Sequence, residues 1–85
     1  MKFFEQPRKH FDYSKEWKGK KKNYVISINY CANGSNYAGQ YYFFVEKKDI
    51  DFRFNSLWNN MKYSTYDECA IVAEKYLEDN ILSKQ

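Results

Sequence analysis

The sequence predicts an α+β fold, a three-stranded antiparallel β-meander with one carboxy-terminal α-helix packed on a face of it, preceded by a short basic segment. Three observations carry this. Residues 24–45, YVISINYCANGSNYAGQYYFFV, alternate apolar and polar side chains on both sides of an Asn33-Gly34 pair. A second alternating run follows at residues 50–57. Thr65 then stands three residues before Glu68, at the head of a sequence with helical apolar spacing. The expected division is one domain over 1–85, with a basic segment at 1–22, the sheet at 23–57 and the helix at 65–82.

Composition permits such a fold in a short chain. Eighty-five residues bury only about 60–65% of their unfolded surface, so large core side chains are needed. Aromatics make up 21% of the chain, and each can bury roughly 150–250 Å². This favours a folded domain in spite of a mean hydropathy of −0.89. The net charge of +3 is unevenly placed. Residues 1–22 hold eight Lys or Arg against three acids, a net +5, whereas residues 23–85 hold six against eight, a net −2.

In chain order, the basic segment reads as a short helix opened by Pro7 and ended by Gly19, with His10, Phe11, Ser14 and Trp17 near one side. The alternation of Phe11, Tyr13, Lys15 and Trp17 also allows an edge strand. Asn33-Gly34 supplies two consecutive positive-φ residues and so favours a tight type I′ turn. That turn sets Ala32 opposite Ser35, Tyr30 opposite Tyr37, Ile28 opposite Gly39, Ile26 opposite Tyr41 and Tyr24 opposite Phe43. Gly39 then leaves space for a bulky neighbour. Ile50, Phe52 and Phe54 share the face of Tyr41, Phe43 and Val45. The opposite face carries Val25, Ser27, Asn29, Gln40, Tyr42, Phe44, Arg53 and Asn55. Residues 58–63 read as a frayed extension or a loop.

Thr65 with Glu68 forms a capping box, which satisfies orphan amides and starts the helix at Tyr66. Tyr66, Cys69, Ala70, Ala73, Tyr76, Leu77 and Ile81 form its apolar stripe, and the small residues among them allow close approach to the Ile26, Phe43 and Phe54 face. Ile71 and Leu82 fall outside the stripe, as isolated exposed apolar residues.

Groups for catalysis are scarce. His10 is the only histidine and nothing places it near Cys31 or Cys69. The cysteines form no CxxC pair, which gives neither a disulfide framework nor a zinc site. Asp49 and Asp51 read as solvated turn residues. Glu46-Lys47-Lys48 matches half of a nuclease site, but residues 24–45 contain no aspartate to complete it. The three glycines are isolated, so there is no phosphate-binding loop. The expectation is a non-enzymatic protein with no catalytic residues, cofactor or metal. No apolar run approaches the ~20 residues needed to cross a bilayer, and the start, MKFFEQPRKH, lacks a secretion signal's apolar core, so a cytoplasmic location is expected.

Binding surfaces remain. Residues 64–77, STYDECAIVAEKYL, resemble the last helix of double-stranded-RNA-binding domains, above all at Ala73-Glu74-Lys75 and Leu77. The resemblance implies a helix, three strands and a helix in that order, and contact with duplex RNA. Where those domains place lysines at the helix start, this chain has Thr65, Tyr66 and Cys69, and it lacks their Gly-Pro-x-His loop. A three-stranded sheet followed by a helix also resembles the arm-binding domains of phage integrases, which lay the sheet in the major groove. In overall style, a very small domain rich in Tyr, Asn and Lys is similar to the inhibitors that phages and mobile elements direct against bacterial defence, anti-CRISPR proteins above all. No residue pattern defines that group and no site is carried over from it. The expected function is an inhibitor or adaptor that blocks a nucleic-acid-handling bacterial complex, protein or ribonucleoprotein, through Tyr42, Phe44, Val25 and Arg53. The alternative is a nucleic-acid-binding module using Lys9, Lys18, Lys20, Lys21, Lys22 and Arg53. Burial of the Tyr42 and Phe44 face by Phe3, Phe4, Phe11 and Trp17 is the competing expectation.

Overall fold

The computed structural model describes residues 1–7, 14–31, 38–47, 49 and 51–84. Five antiparallel strands lie in sequence order: β1 Phe4–Glu5, β2 Lys15–Lys21, β3 Tyr24–Cys31, β4 Gln40–Lys47 and β5 Phe52–Asn55. One helix, α1 Tyr66–Asn80, follows, with 3₁₀ turns at Leu57–Asn59 and Leu82–Lys84.

The α+β class and the carboxy-terminal helix hold, and the expected three-stranded meander is present as β3, β4 and β5 of a larger, five-stranded sheet. Lys15–Lys21 is a strand paired along its whole length with Tyr24–Cys31, so the helix expected between Pro7 and Gly19 is replaced over these residues by the edge-strand alternative. Lys22 turns the chain between them at a φ of 57°. The physical reason is Trp17: on a strand opposite Ile28 it reaches the helix-covered face and meets Tyr66 edge-on at 4.8 Å between ring centroids. Phe4–Glu5 adds a further short strand on β2. Lys9, His10, Phe11 and Tyr13 lie outside the described residues.

The central pairing is offset by four residues from the expected one. Ile28 faces Phe43, Tyr30 faces Tyr41 and Cys31 faces Gln40. The turn expected at Asn33-Gly34 lies outside the described residues. Four is an even number, so each side chain keeps its face. The observed offset puts Ile26 against Val45 and Ile28 against Phe43, all four fully buried. The expected one would have set Ile28 against Gly39 and left Val45 beyond the strand end. Apolar burial at roughly 25 cal/mol per Å² therefore outweighs the preference of one dipeptide for a tight turn. Gly39 lies outside the strands, at a φ of 79° with open space beside it, rather than beneath a bulky neighbour.

The core lies between the sheet and α1. Phe43, Ile26, Ile28, Val45, Cys69, Ala73 and Leu77 are inaccessible to solvent. Tyr76 of α1 stacks on Phe54 at 4.2 Å and approaches Phe43 at 6.0 Å. The helix starts where the capping residue places it: the Glu68 N–H donates to Thr65 Oγ1 at 3.2 Å. Ile71 is exposed, and Leu82 packs against the core.

Past β5 the chain is held by Ser56, a fully buried residue that the sequence reading passed over. Its Oγ accepts from the Phe43 N–H at 2.9 Å, its N–H donates to the Phe43 carbonyl, and its carbonyl accepts from the Met61 N–H. Tyr63 then forms a two-way backbone bridge with Tyr41. Residues 57–63 are thus a 3₁₀ turn and a tied return, not a frayed strand.

Burial pushes the Cys69 thiol up to about 12, so it stays protonated and shielded at neutral pH. Cys31 is half-buried. A disulfide-exchange reagent at pH 8 is expected to label Cys31 readily and Cys69 only after denaturation; equal labelling of both in the native protein would contradict the packing of α1.

Candidate interaction face

The sheet has one face under α1 and one that no described element covers. Register fixes the second as a grid of three cross-strand rows. Phe4, Lys18, Ser27, Phe44 and Asn55 stand opposite one another across all five strands. Lys20, Val25, Glu46 and Arg53 form the row to one side, and Glu16, Asn29 and Tyr42 the row to the other. Of the sequence-expected partner residues, Tyr42, Phe44, Val25 and Arg53 therefore share one face. Phe3 and Trp17 pack on the opposite side, with the core. Phe4 lies on the open face but at its edge, 65% exposed, and does not cover Tyr42.

The aromatic end of the grid is organised by contacts among its own members. Tyr42 meets Phe44 edge to face at 5.5 Å with an interplanar angle of 74°. The Arg53 guanidinium lies over the Phe44 ring at 4.3 Å, a cation–π contact. Glu46 holds that guanidinium from the next position, 3.8 Å from Arg53 Nε. An exposed pair of this kind adds little stability. Beside Tyr42, the buried Asn29 Nδ2 and Gln40 Oε1 have no hydrogen-bond partner among the described residues.

The lysines divide between the two faces. Lys18 and Lys20 stand on the open one. Lys21 points to the helix side, where Nζ donates to Glu74 Oε2 at 3.1 Å and to the Glu78 carboxylate. Hydrogen bonding to Glu78, then Glu74, raises the Lys21 pKa, and the bond from Lys21 lowers that of Glu74. Lys21 is thereby part of how α1 is fastened to β2. Lys22 is exposed in the turn, and Lys9 lies outside the described residues. Lys2, which sequence reasoning missed, joins Lys18 and Lys20 around a groove of about 570 Å³ that also takes in Phe4, Gln6 and Val25. The signal was absent because the pairing of β1 with β2 rests on two residues. A second groove, about 250 Å³, continues across Val25 and Ser27 to Glu46 and Lys47 and shares Lys18 with the first.

Among the described residues no cluster of His, Cys, Asp and Glu could hold a metal ion, and no helix is long and apolar enough to cross a membrane. Comparison of the chain with protein-family models, with curated proteins and with solved structures finds no match in any of the three.

Proposed function

We propose that this chain is a non-enzymatic inhibitor or adaptor of the anti-CRISPR kind, acting in the cytoplasm by docking its open sheet face on a nucleic-acid-handling bacterial defence complex. The observation that carries the reading is the Tyr42, Phe44 and Arg53 cluster, aligned by register on the one sheet face that α1 leaves uncovered. Aromatic side chains and arginine on a rigid support are the residues in which interface energy concentrates, because they bring large contact area at low entropic cost.

The test is expression of the chain in bacteria whose CRISPR immunity restricts a phage, with plaque counts as the readout. Wild-type protein is expected to restore plaques, and Tyr42→Ala to weaken the effect through a loss of about 1–2 kcal/mol in binding. Unchanged restriction across several immunity types, with folded protein present, would overturn the proposal. The second reading, a nucleic-acid-binding module, is favoured by one observation, the groove that gathers Lys2, Lys18 and Lys20. It does not extend to duplex RNA gripped by the helix start, where Thr65 caps the helix and Cys69 is buried.

A further inference from the structure

We infer that the groove between β1 and β3 binds single-stranded nucleic acid, so that the partner of the open face is a ribonucleoprotein or nucleoprotein rather than protein alone. This rests on the reading of the open face as the working surface and names what its basic end recognises.

Among the described residues the groove's polar lining is cationic and amide, with Lys2, Lys18, Lys20 and Gln6 and no carboxylate. Its apolar side chains are Phe4 and Val25, and Phe4 is 65% exposed. Lysines around an accessible aromatic ring are what a flexible polyanion with planar bases requires, phosphates meeting the ammonium groups while a base stacks on the ring. Register supplies the second half of the site. Phe4 and Phe44 belong to one cross-strand row, with Lys18 and the small, buried Ser27 between them. Three inter-strand spacings separate the rings, roughly 14 Å, a span for a short unstacked strand and too long for one nucleotide. The second groove shares Lys18 and Val25 with the first and leads over Ser27 toward Glu46 and Lys47, so that Phe44 extends the site by its place in the row and not by lining a groove. At the Phe44 end of the row Arg53 presents a guanidinium over the ring, and such planes also accept bases.

A duplex fits this arrangement poorly, because its bases are stacked on one another and cannot reach Phe4. An acidic peptide would satisfy the lysines but makes no particular use of a row of two rings. The strand is therefore the occupant that uses both features.

Binding of the full-length protein to oligouridine and oligothymidine of about 15 nucleotides should be measured by fluorescence anisotropy at several salt concentrations, beside a duplex of equal length and polyglutamate. With three lysines on phosphates, log affinity is expected to fall against log salt with a slope of about −2. Phe4→Ala, at an exposed edge position, is expected to weaken binding at least about fivefold, with Phe4→Trp retaining it and thermal melting confirming that both fold. Lys18→Ala is expected to reduce the slope by about 0.7. Absence of binding at low salt would overturn the inference, as would equal affinity for duplex with no effect of Phe4→Ala, or polyglutamate competing as strongly as the oligonucleotides. None of these would touch the inhibitor reading, which fails separately if the wild-type chain leaves plaque counts unchanged.

Discussion

Phe43→Ala is expected to lower the free energy of unfolding by about 3–5 kcal/mol, measured by urea denaturation followed by circular dichroism. A domain of this size holds only about 4–13 kcal/mol in total, so this one truncation should remove a large share of it. Phe43 sits in the middle of β4 with no solvent exposure, opposite Ile28. Its ring is enclosed by Phe54 at 5.9 Å, Tyr76 at 6.0 Å and Tyr63 at 6.5 Å. Those neighbours come from β5, α1 and the return segment, so the cavity left by alanine would border three separate elements and none could close it alone. The adjacent Phe44 is the control. It points to the other face and is only partly buried, so Phe44→Ala should cost clearly less stability. A loss at Phe43 under about 1 kcal/mol, or the reverse order of the two variants, would show that α1 does not lie on this face.

That contrast between neighbouring phenylalanines is also the part of the molecule most legible in the sequence. Two-residue alternation assigns Phe43 and Phe44 to opposite faces whatever the register, which is why the face was readable even though the offset was not. The offset depends on whether Ile28 gains more from Phe43 than the chain gains from a tight turn, a contest between tertiary burial and local geometry that no short window contains. Thr65 and Glu68 were readable for the opposite reason, since a helix start is settled within four residues. Ser56 was invisible because a serine bound to a strand residue thirteen positions earlier looks like any loop serine. At the open face, Tyr42, Phe44, Val25 and Arg53 were found by parity alone. Lys2 was not, because its place is set by two residues of pairing and by Gly19, and Phe4, expected to fold across that face, stands at its edge instead.

Gly19→Ala is expected to free β1 from the sheet and with it the basic groove. A Cβ built at Gly19 would lie 2.6 Å from the Lys2 carbonyl oxygen and 2.9 Å from Phe3 Cδ1. The first contact is with backbone, so no rotamer change relieves it, and the segment must move. Overpacking of this kind costs about 1–3 kcal/mol where the structure is forced to keep it. Here the cost is capped by what holds β1, which includes two paired residues, the Gln6 N–H donated to the Glu16 carbonyl at 2.8 Å, the packing of Phe3 and the Met1 ammonium 3.6 Å from Glu74 Oε1. Release of β1 is therefore the easier outcome. The Gln6 amide should lose its protection against hydrogen exchange while amides of β3 and β4 keep theirs. Oligonucleotide affinity should fall at least as far as in Phe4→Ala, because Lys2 and Phe4 leave together. Unchanged protection at Gln6 with unchanged melting would mean that the close approach at Gly19 does not hold β1 in place. Protection lost throughout would mean instead that β1 is integral to the core, and that the groove cannot be removed without the fold.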